Sequence, residues 1–319
     1  MDFLLIAVGL VVLIGGAELL IRGASAFALR YGISELVVGL TIVAFGTSMP
    51  EFVVSASASL SDHPDLAISN VLGSNIVNVL GILGIAALIR SLPVSNTTVI
   101  AEIPFSLTAA LLVGFLANAA LFTHSAALEI SRIDGLILLF FFALFMAYVY
   151  VVAKNDGSAT TVGEAGEQPR LPMAALFVAL GLAGLFAGGA LVVDSAVDVA
   201  TRLGVSEAVI GLTIVAVGTS LPELFTSAVA AYRGNTDMAV GNVIGSNIFN
   251  LLWILGCSAV ITELPFSVVS NFDLAMVVFA TALVLVAIAA GRKACINRLH
   301  GALFVAVYVG YVVYIIQRG

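Results

Sequence analysis

The sequence predicts an all-α membrane protein: ten transmembrane helices in two inverted five-helix repeats, with discontinuous helices at a central ion site. Three observations carry this reading. The chain is 61% hydrophobic and 10% charged with a mean hydropathy of +1.17, whereas soluble domains are roughly one quarter charged. Ten apolar runs approach the ~20 helical residues needed to cross about 30 Å of hydrocarbon. Residues 31–80 also recur at 203–252, identical at 28 of 50 places with a shift of 172. The alternation that a transmembrane barrel requires is absent from the sequence.

In order, the expected spans are 3–21, 34–59, 66–89, 102–122, 134–153, 173–195, 207–232, 238–260, 271–290 and 301–317. The first lacks a basic leader and runs straight into the repeat, so it reads as a retained helix and not a signal peptide. Residues 1–153 form the first repeat and 173–319 the second. Between them, 154–172 contains Gly157, Gly163, Gly166, Pro169 and Pro172, the composition of a flexible linker too short for a regulatory domain.

Basic residues set the orientation. With both termini outside, the inner segments hold Arg22, Arg30, Arg90, Lys154, Arg170, Arg233, Arg292, Lys293 and Arg298, and the outer ones only Arg132, Arg202 and Arg318. Nine against three obeys the positive-inside rule and places 154–172 in the cytoplasm of a cell whose inner membrane the protein spans. Five spans per half is an odd number, so the second repeat enters the membrane from the opposite face. Such inverted halves, with a site at their interface, recur in secondary transporters.

Composition excludes other classes. A net charge of −7 with 12 Lys and Arg offers no basic surface for nucleic acid. Cys257 and Cys295 fall at different depths and form no disulfide framework, and His63, His124 and His300 are scattered. No phosphate-cradling loop, zinc spacing or nucleophile motif stands out, so neither an enzyme nor an ATP-driven pump is expected, and no cofactor.

The chemistry lies in the repeat. Gly46-Thr-Ser-Met-Pro-Glu51 and Gly218-Thr-Ser-Leu-Pro-Glu223 each place one carboxylate in apolar sequence, where a charge costs roughly 2.5 to 3.5 kcal/mol on insertion scales. Pro50 lacks an amide hydrogen and clashes with the Gly46 carbonyl, so the helix should break near Thr47 and Ser48 and free its carbonyls. Glu51, Thr47 and the Ala44 backbone then project to a common point, as do Glu223, Thr219, Ser220 and Ala216. Ser74 with Asn78, and Ser246 with Asn250, four residues apart, give the following helices a polar face. Oxygens of these kinds suit hard cations such as calcium and sodium. Ser55 and Ser227 read as packing residues, and Asn70, Asn75, Asn242 and Asn247 as either bend residues or ligands.

These motifs, with Gly73-Ser-Asn-Ile-Val-Asn78 and Gly245-Ser-Asn-Ile-Phe-Asn250, resemble the two alpha repeats of sodium/calcium exchangers in the cation/calcium antiporter superfamily. The resemblance extends over essentially the whole chain. It implies ten helices with the N-terminus outside. It also implies calcium and sodium binding by Glu51 and Glu223, with Thr47, Ser48, Thr219, Ser220, Ser74, Ser246 and the carbonyls of Ala44 and Ala216 completing sodium sites. The first span of each half resembles a pair of long helices that slides across the core. Some relatives, including potassium-dependent ones, carry an acid where Asn250 stands, so potassium dependence is not expected here.

The leading expectation is therefore a calcium/sodium antiporter that extrudes calcium as sodium enters, working in the lipid bilayer as a monomer. Calcium/proton antiport stays open, because two nearby carboxylates repel and make protons natural competitors. Against it, that branch typically shows Gly-Asn-x-x-Glu at the acidic motif. A passive cation channel is the third reading.

Overall fold

The computed structural model describes residues 2–61, 64–119, 128–155, 170–203, 216–290 and 294–318. Helix α1 (Asp2–Tyr31) is followed by α2 (Glu35–Thr47) and α3 (Met49–Leu60), which meet at a 46° bend. Next come α4 (Asp65–Ile89), strand β1 (Leu92–Pro93), α5 (Thr98–Ala117), strand β2 (Glu129–Ile130) and α6 (Arg132–Asn155). The second half contains α7 (Leu171–Arg202), α8 (Ala216–Thr219), α9 (Leu221–Arg233), α10 (Thr236–Ile261), strand β3 (Leu264–Pro265), α11 (Val268–Ala290), strand β4 (Cys295–Ile296) and α12 (Arg298–Arg318).

Eight described helices are long and apolar enough to cross a bilayer, and the bent pair α2 and α3 makes a ninth. The chain is a multi-pass, all-helical membrane protein. The start of the expected 207–232 span, at 207–215, and the heart of the expected linker, 156–169, lie outside the described residues.

Two expectations on length are corrected. Helices α1 and α7 run to 30 and 32 residues instead of the 19 and 23 expected. At 1.5 Å per residue they reach about 45 Å, so they tilt or project beyond the hydrocarbon. Apolar content marks only the lipid-exposed stretch. The helices continue through polar residues such as Arg22 and Arg30, or Asp198 and Arg202, which no breaker interrupts.

The two long helices pack along a seam of small residues. A Cβ on Gly9, Gly16 or Gly23, spaced by sevens, would lie within 2.7 Å of Val192, Leu185 and Ala174 atoms respectively, and one on Gly181 would lie 2.5 Å from the Leu20 amide nitrogen. Small residues let the backbones approach closely, which is how helices associate in lipid without a hydrophobic driving force. Helices α4 and α10 form the buried centre: Val71, Leu80, Leu83, Val243, Leu252 and Leu255 are wholly buried. At the ends of the bundle β1 pairs antiparallel with β4, and β2 with β3. The two small sheets lie at opposite ends of α5, whose 20 residues span about 30 Å.

Candidate cation site

The break falls where Pro50 places it. Ser48 leaves the helical region at φ −81°, ψ 6°, and Ser220, before Pro222, repeats this at −89°, 7°. Each break sits against α7: a Cβ on Gly46 would strike Leu182, and one on Gly218 would strike Val193. The first glycine of each motif therefore lets a broken helix touch the long helix beside it.

The breaks aim the motif side chains at each other across the halves. Ser48 donates to Glu223 Oε1 at 3.0 Å, and Ser220 donates to Glu51 Oε1 at 3.0 Å. Thr219 also faces Glu51, while Thr47 and Ser246 face Glu223. Both carboxylates are about 1% exposed, and Thr47, Ser48, Ser74, Ser220, Ser246, Asn78 and Asn250 are buried with them; Thr219 is half-buried. Ala44 is buried, and its carbonyl accepts from the Ser48 amide at 3.0 Å. Ala216 opens α8.

A set of oxygens lacks hydrogen-bond partners. Among the described residues Asn75 Oδ1, Glu102 Oε2, Ser106 Oγ, Thr226 Oγ1 and Ser258 Oγ are such atoms, and so are six on the expected ligands: Glu51 Oε2, Glu223 Oε2, Ser74 Oγ, Ser246 Oγ, Asn78 Oδ1 and Asn250 Oδ1. An uncompensated buried oxygen costs about 1–3 kcal/mol and more when charged, and these six come from the four duplicated motifs. Their chemistry, carboxylate plus hydroxyl plus amide oxygen, is that of a hard-cation shell.

Around this set lies a supporting layer that sequence left open. Asn242 Nδ2 donates to Ser227 Oγ at 2.9 Å and to the Glu223 carbonyl at 3.5 Å, and Asn70 Nδ2 does the same to Ser55 at 2.9 Å and the Glu51 carbonyl at 3.2 Å. Ser55 and Ser227 are thus hydrogen-bonded anchors as well as packing residues. Asn242 Oδ1 is also an acceptor for Thr47 Oγ1, at 3.2 Å, in competition with the Val43 carbonyl at 3.0 Å and the Ala44 carbonyl at 3.5 Å. Thr47 has one proton to give, so these three oxygens share a single donor. Asn78 Nδ2 donates to Asn247 Oδ1 at 3.1 Å, which leaves Asn78 Oδ1 as the free end. Only the recurrence of Asn70 as Asn242, 172 positions on, pointed to this layer.

Asn242→Ala is expected to remove the bonds to Ser227 and the Glu223 carbonyl and to leave Thr47 only the Val43 and Ala44 carbonyls, costing about 1–3 kcal/mol. The check is the thermal midpoint in detergent with and without calcium; an unchanged midpoint in both would mean these bonds contribute nothing.

Two further features shape the site. π-helical turns at Gly39–Val43, Val77–Ile82 and Phe249–Ile254 lie beside the motifs, and such turns re-aim side chains at functional positions. An aromatic wall closes one flank: Phe52 stacks on Trp253 at 4.5 Å, and Phe142 meets Phe249 edge-on at 4.9 Å. On another flank a cleft of about 500 Å³, lined by Met49, Pro50, Phe186, Val193 and Asp194, reaches Thr219. Glu18, in α1, is paired with Arg22 and with Arg233 at the end of α9.

A multi-pass helical protein that buries two facing acids among orphaned oxygens belongs to the class of membrane transporters. More narrowly, the sodium/calcium exchanger protein family matches residues 1–151 and 173–317, and the chain belongs to that family. It is 39% identical over 265 residues to the inner membrane protein YrbG of Escherichia coli strain K12, covering 81% of this chain and 79% of that one. It is 32% identical to the sodium/calcium exchanger MaX1 of Methanosarcina acetivorans, covering 98% and 97%. Its fold superposes on the sodium-calcium exchanger NCX_Mj, soaked with sodium and calcium, with a TM-score of 0.80 at 33% identity, over 98% of this chain and 97% of that one.

Proposed function

We propose that the chain is an antiporter that exchanges calcium for sodium by alternating access, extruding calcium as sodium enters across the inner membrane. The observation that carries this is the reciprocal pair Ser48 to Glu223 and Ser220 to Glu51, set among six unpaired buried oxygens. Calcium occupies the space between the two carboxylates. Sodium ions use the hydroxyls of Thr47, Ser48, Ser74, Thr219, Ser220 and Ser246 and the carbonyls of Ala44 and Ala216. Asn78 and Asn250 contribute neutral oxygens. Two carboxylates neutralise one calcium ion, and more than two sodium ions per calcium make exchange electrogenic.

Ten spans in two inverted halves, 1–153 and 173–319 joined by a cytoplasmic 154–172, fit this cycle. The family match falls in those same two blocks. Strand β3 is the repeat equivalent of β1, 172 positions on, yet β1 pairs with β4 and β3 with β2 at the other end of α5. Equivalent loops at opposite ends are what inversion produces. With the termini outside, the cleft beside Thr219 lies in the outer half and the Glu18 to Arg233 pair towards the inner side, the arrangement of an outward-facing state.

Calcium uptake into sodium-loaded vesicles diluted into sodium-free buffer tests the coupling. Uptake is expected with the outward sodium gradient. Uptake driven only by a proton gradient would overturn sodium coupling, and single-channel currents would overturn antiport.

Asn250→Asp adds an anion beside the two acids. At a separation of about 5 Å and an effective dielectric near 20, its attraction for a divalent ion is several kcal/mol before desolvation, so calcium should bind at least about tenfold tighter. Trp253, the only tryptophan and three residues from Asn250, supplies a fluorescence readout. Unchanged affinity would place this side chain outside the ligand shell.

A further inference from the structure

The geometry points to a second binding site, remote from the acids, for the phosphate of an anionic phospholipid. It is a pocket of about 440 Å³ where α4 ends, α9 ends and α12 begins, lined by Ile89, Arg90, Ser91, Tyr232 and Arg298. The two arginines come from opposite halves and are brought together by the β1 to β4 pairing, which sets Leu92 against Ile296. Among the described residues neither makes an ion pair, whereas neighbouring Arg233 is paired with Glu18.

A purely structural role accounts for only part of this. Arg298 Nη2 caps the Ile89 carbonyl at 3.3 Å, a favourable contact at the negative end of a helix. A guanidinium has five N–H donors, so most of them remain for a ligand. The Arg90 guanidinium lies over Gly234, a left-handed residue with φ +92° where any Cβ would collide with it. Two arginines lining one pocket with the hydroxyls of Ser91 and Tyr232 suit a phosphate diester, which a guanidinium can grip in bidentate fashion.

The flanks favour a lipid over a soluble anion. Tyr232 is 79% exposed, Leu299 76% and Leu88 39%, so apolar surface continues from the pocket towards the acyl region. Basic pockets between transmembrane helices on the cytoplasmic side are suited to anionic headgroups, and tyrosine is enriched at that interface. Placement in the inner leaflet rests on the orientation proposed above; binding of the lipid does not.

The test is retention of phosphatidylglycerol by the purified full chain after reconstitution with an equal amount of phosphatidylcholine, read by native mass spectrometry. At about fivefold per arginine, Arg90→Gln with Arg298→Gln should lower phosphatidylglycerol affinity roughly 25-fold. Arg132→Gln, on the opposite face, should match the wild type. The pair Arg90→Lys with Arg298→Lys, which keeps the charge but loses the fork, should fall between. An unchanged calcium titration by Trp253 fluorescence verifies that each variant is folded and leaves the exchange site out of the result. Equal phosphatidylglycerol retention by wild type and the glutamine pair overturns the proposal. So does release of the lipid by millimolar inorganic phosphate, which would assign the pocket to a soluble anion.

Discussion

Glu51→Gln and Glu223→Gln should each abolish sodium-driven calcium uptake, with a loss of at least about 100-fold, while the protein still inserts and folds. The substitution keeps the shape and removes one of two negative charges. At about 2.5 Å and an effective dielectric of ~20 a carboxylate attracts a divalent ion by more than ten kcal/mol. Relief of the repulsion between the acids and retained hydration offset much of that, and a residue of about 3 kcal/mol already corresponds to the predicted loss. Folding survives because a glutamine amide oxygen can still accept from Ser220 or Ser48 as each carboxylate does, and neutralising one buried acid lowers the desolvation cost. Uptake within a fewfold of the wild type by either variant would remove that carboxylate from the site.

Gly181→Val is the second large effect, and it acts on stability and motion together. Its Cβ would stand 2.5 Å from the Leu20 nitrogen and 2.9 Å from the Gly16 carbonyl oxygen, both backbone atoms that cannot rotate aside. The helices α1 and α7 must then separate along their whole seam, at a cost of about 1–3 kcal/mol or more. Because α7 also touches both breaks through Leu182 and Val193, transport should fall even where the protein remains folded. Gly15→Ala is the control, since nothing lies within 4 Å of its Cβ. Equal thermal midpoints and equal uptake for the two variants would show that the seam is not tightly packed.

Much of this site was legible in the chain because duplication and proline chemistry are local signals. The repeat, shifted by 172 residues, identified both acids, and Pro50 located the break at Ser48. Six of the orphaned oxygens belong to motif residues named from sequence alone, whereas those on Glu102, Ser106, Thr226 and Ser258 carried no such signal. What escaped depends on contacts between distant segments. The Thr47 to Asn242 bond joins residues 195 apart, and two-residue strands such as β1 and β4 have no periodicity of their own to read. The π-helical turns also gave no signal, since Val77–Ile82 and Phe249–Ile254 carry the same apolar pattern as the α-helix around them. Tyr148 donating to the buried Glu102 at 2.5 Å was another pairing between separate helices, α6 and α5, that neither sequence foretold.

Crystals grown with calcium and measured at a wavelength that reveals it would test the central claim most directly. The anomalous peak should lie between Glu51 and Glu223, about 2.3–2.6 Å from an oxygen of each, with Ser48 and Ser220 still directed at the site. A peak elsewhere, or none between the two carboxylates at saturating calcium, would contradict the account.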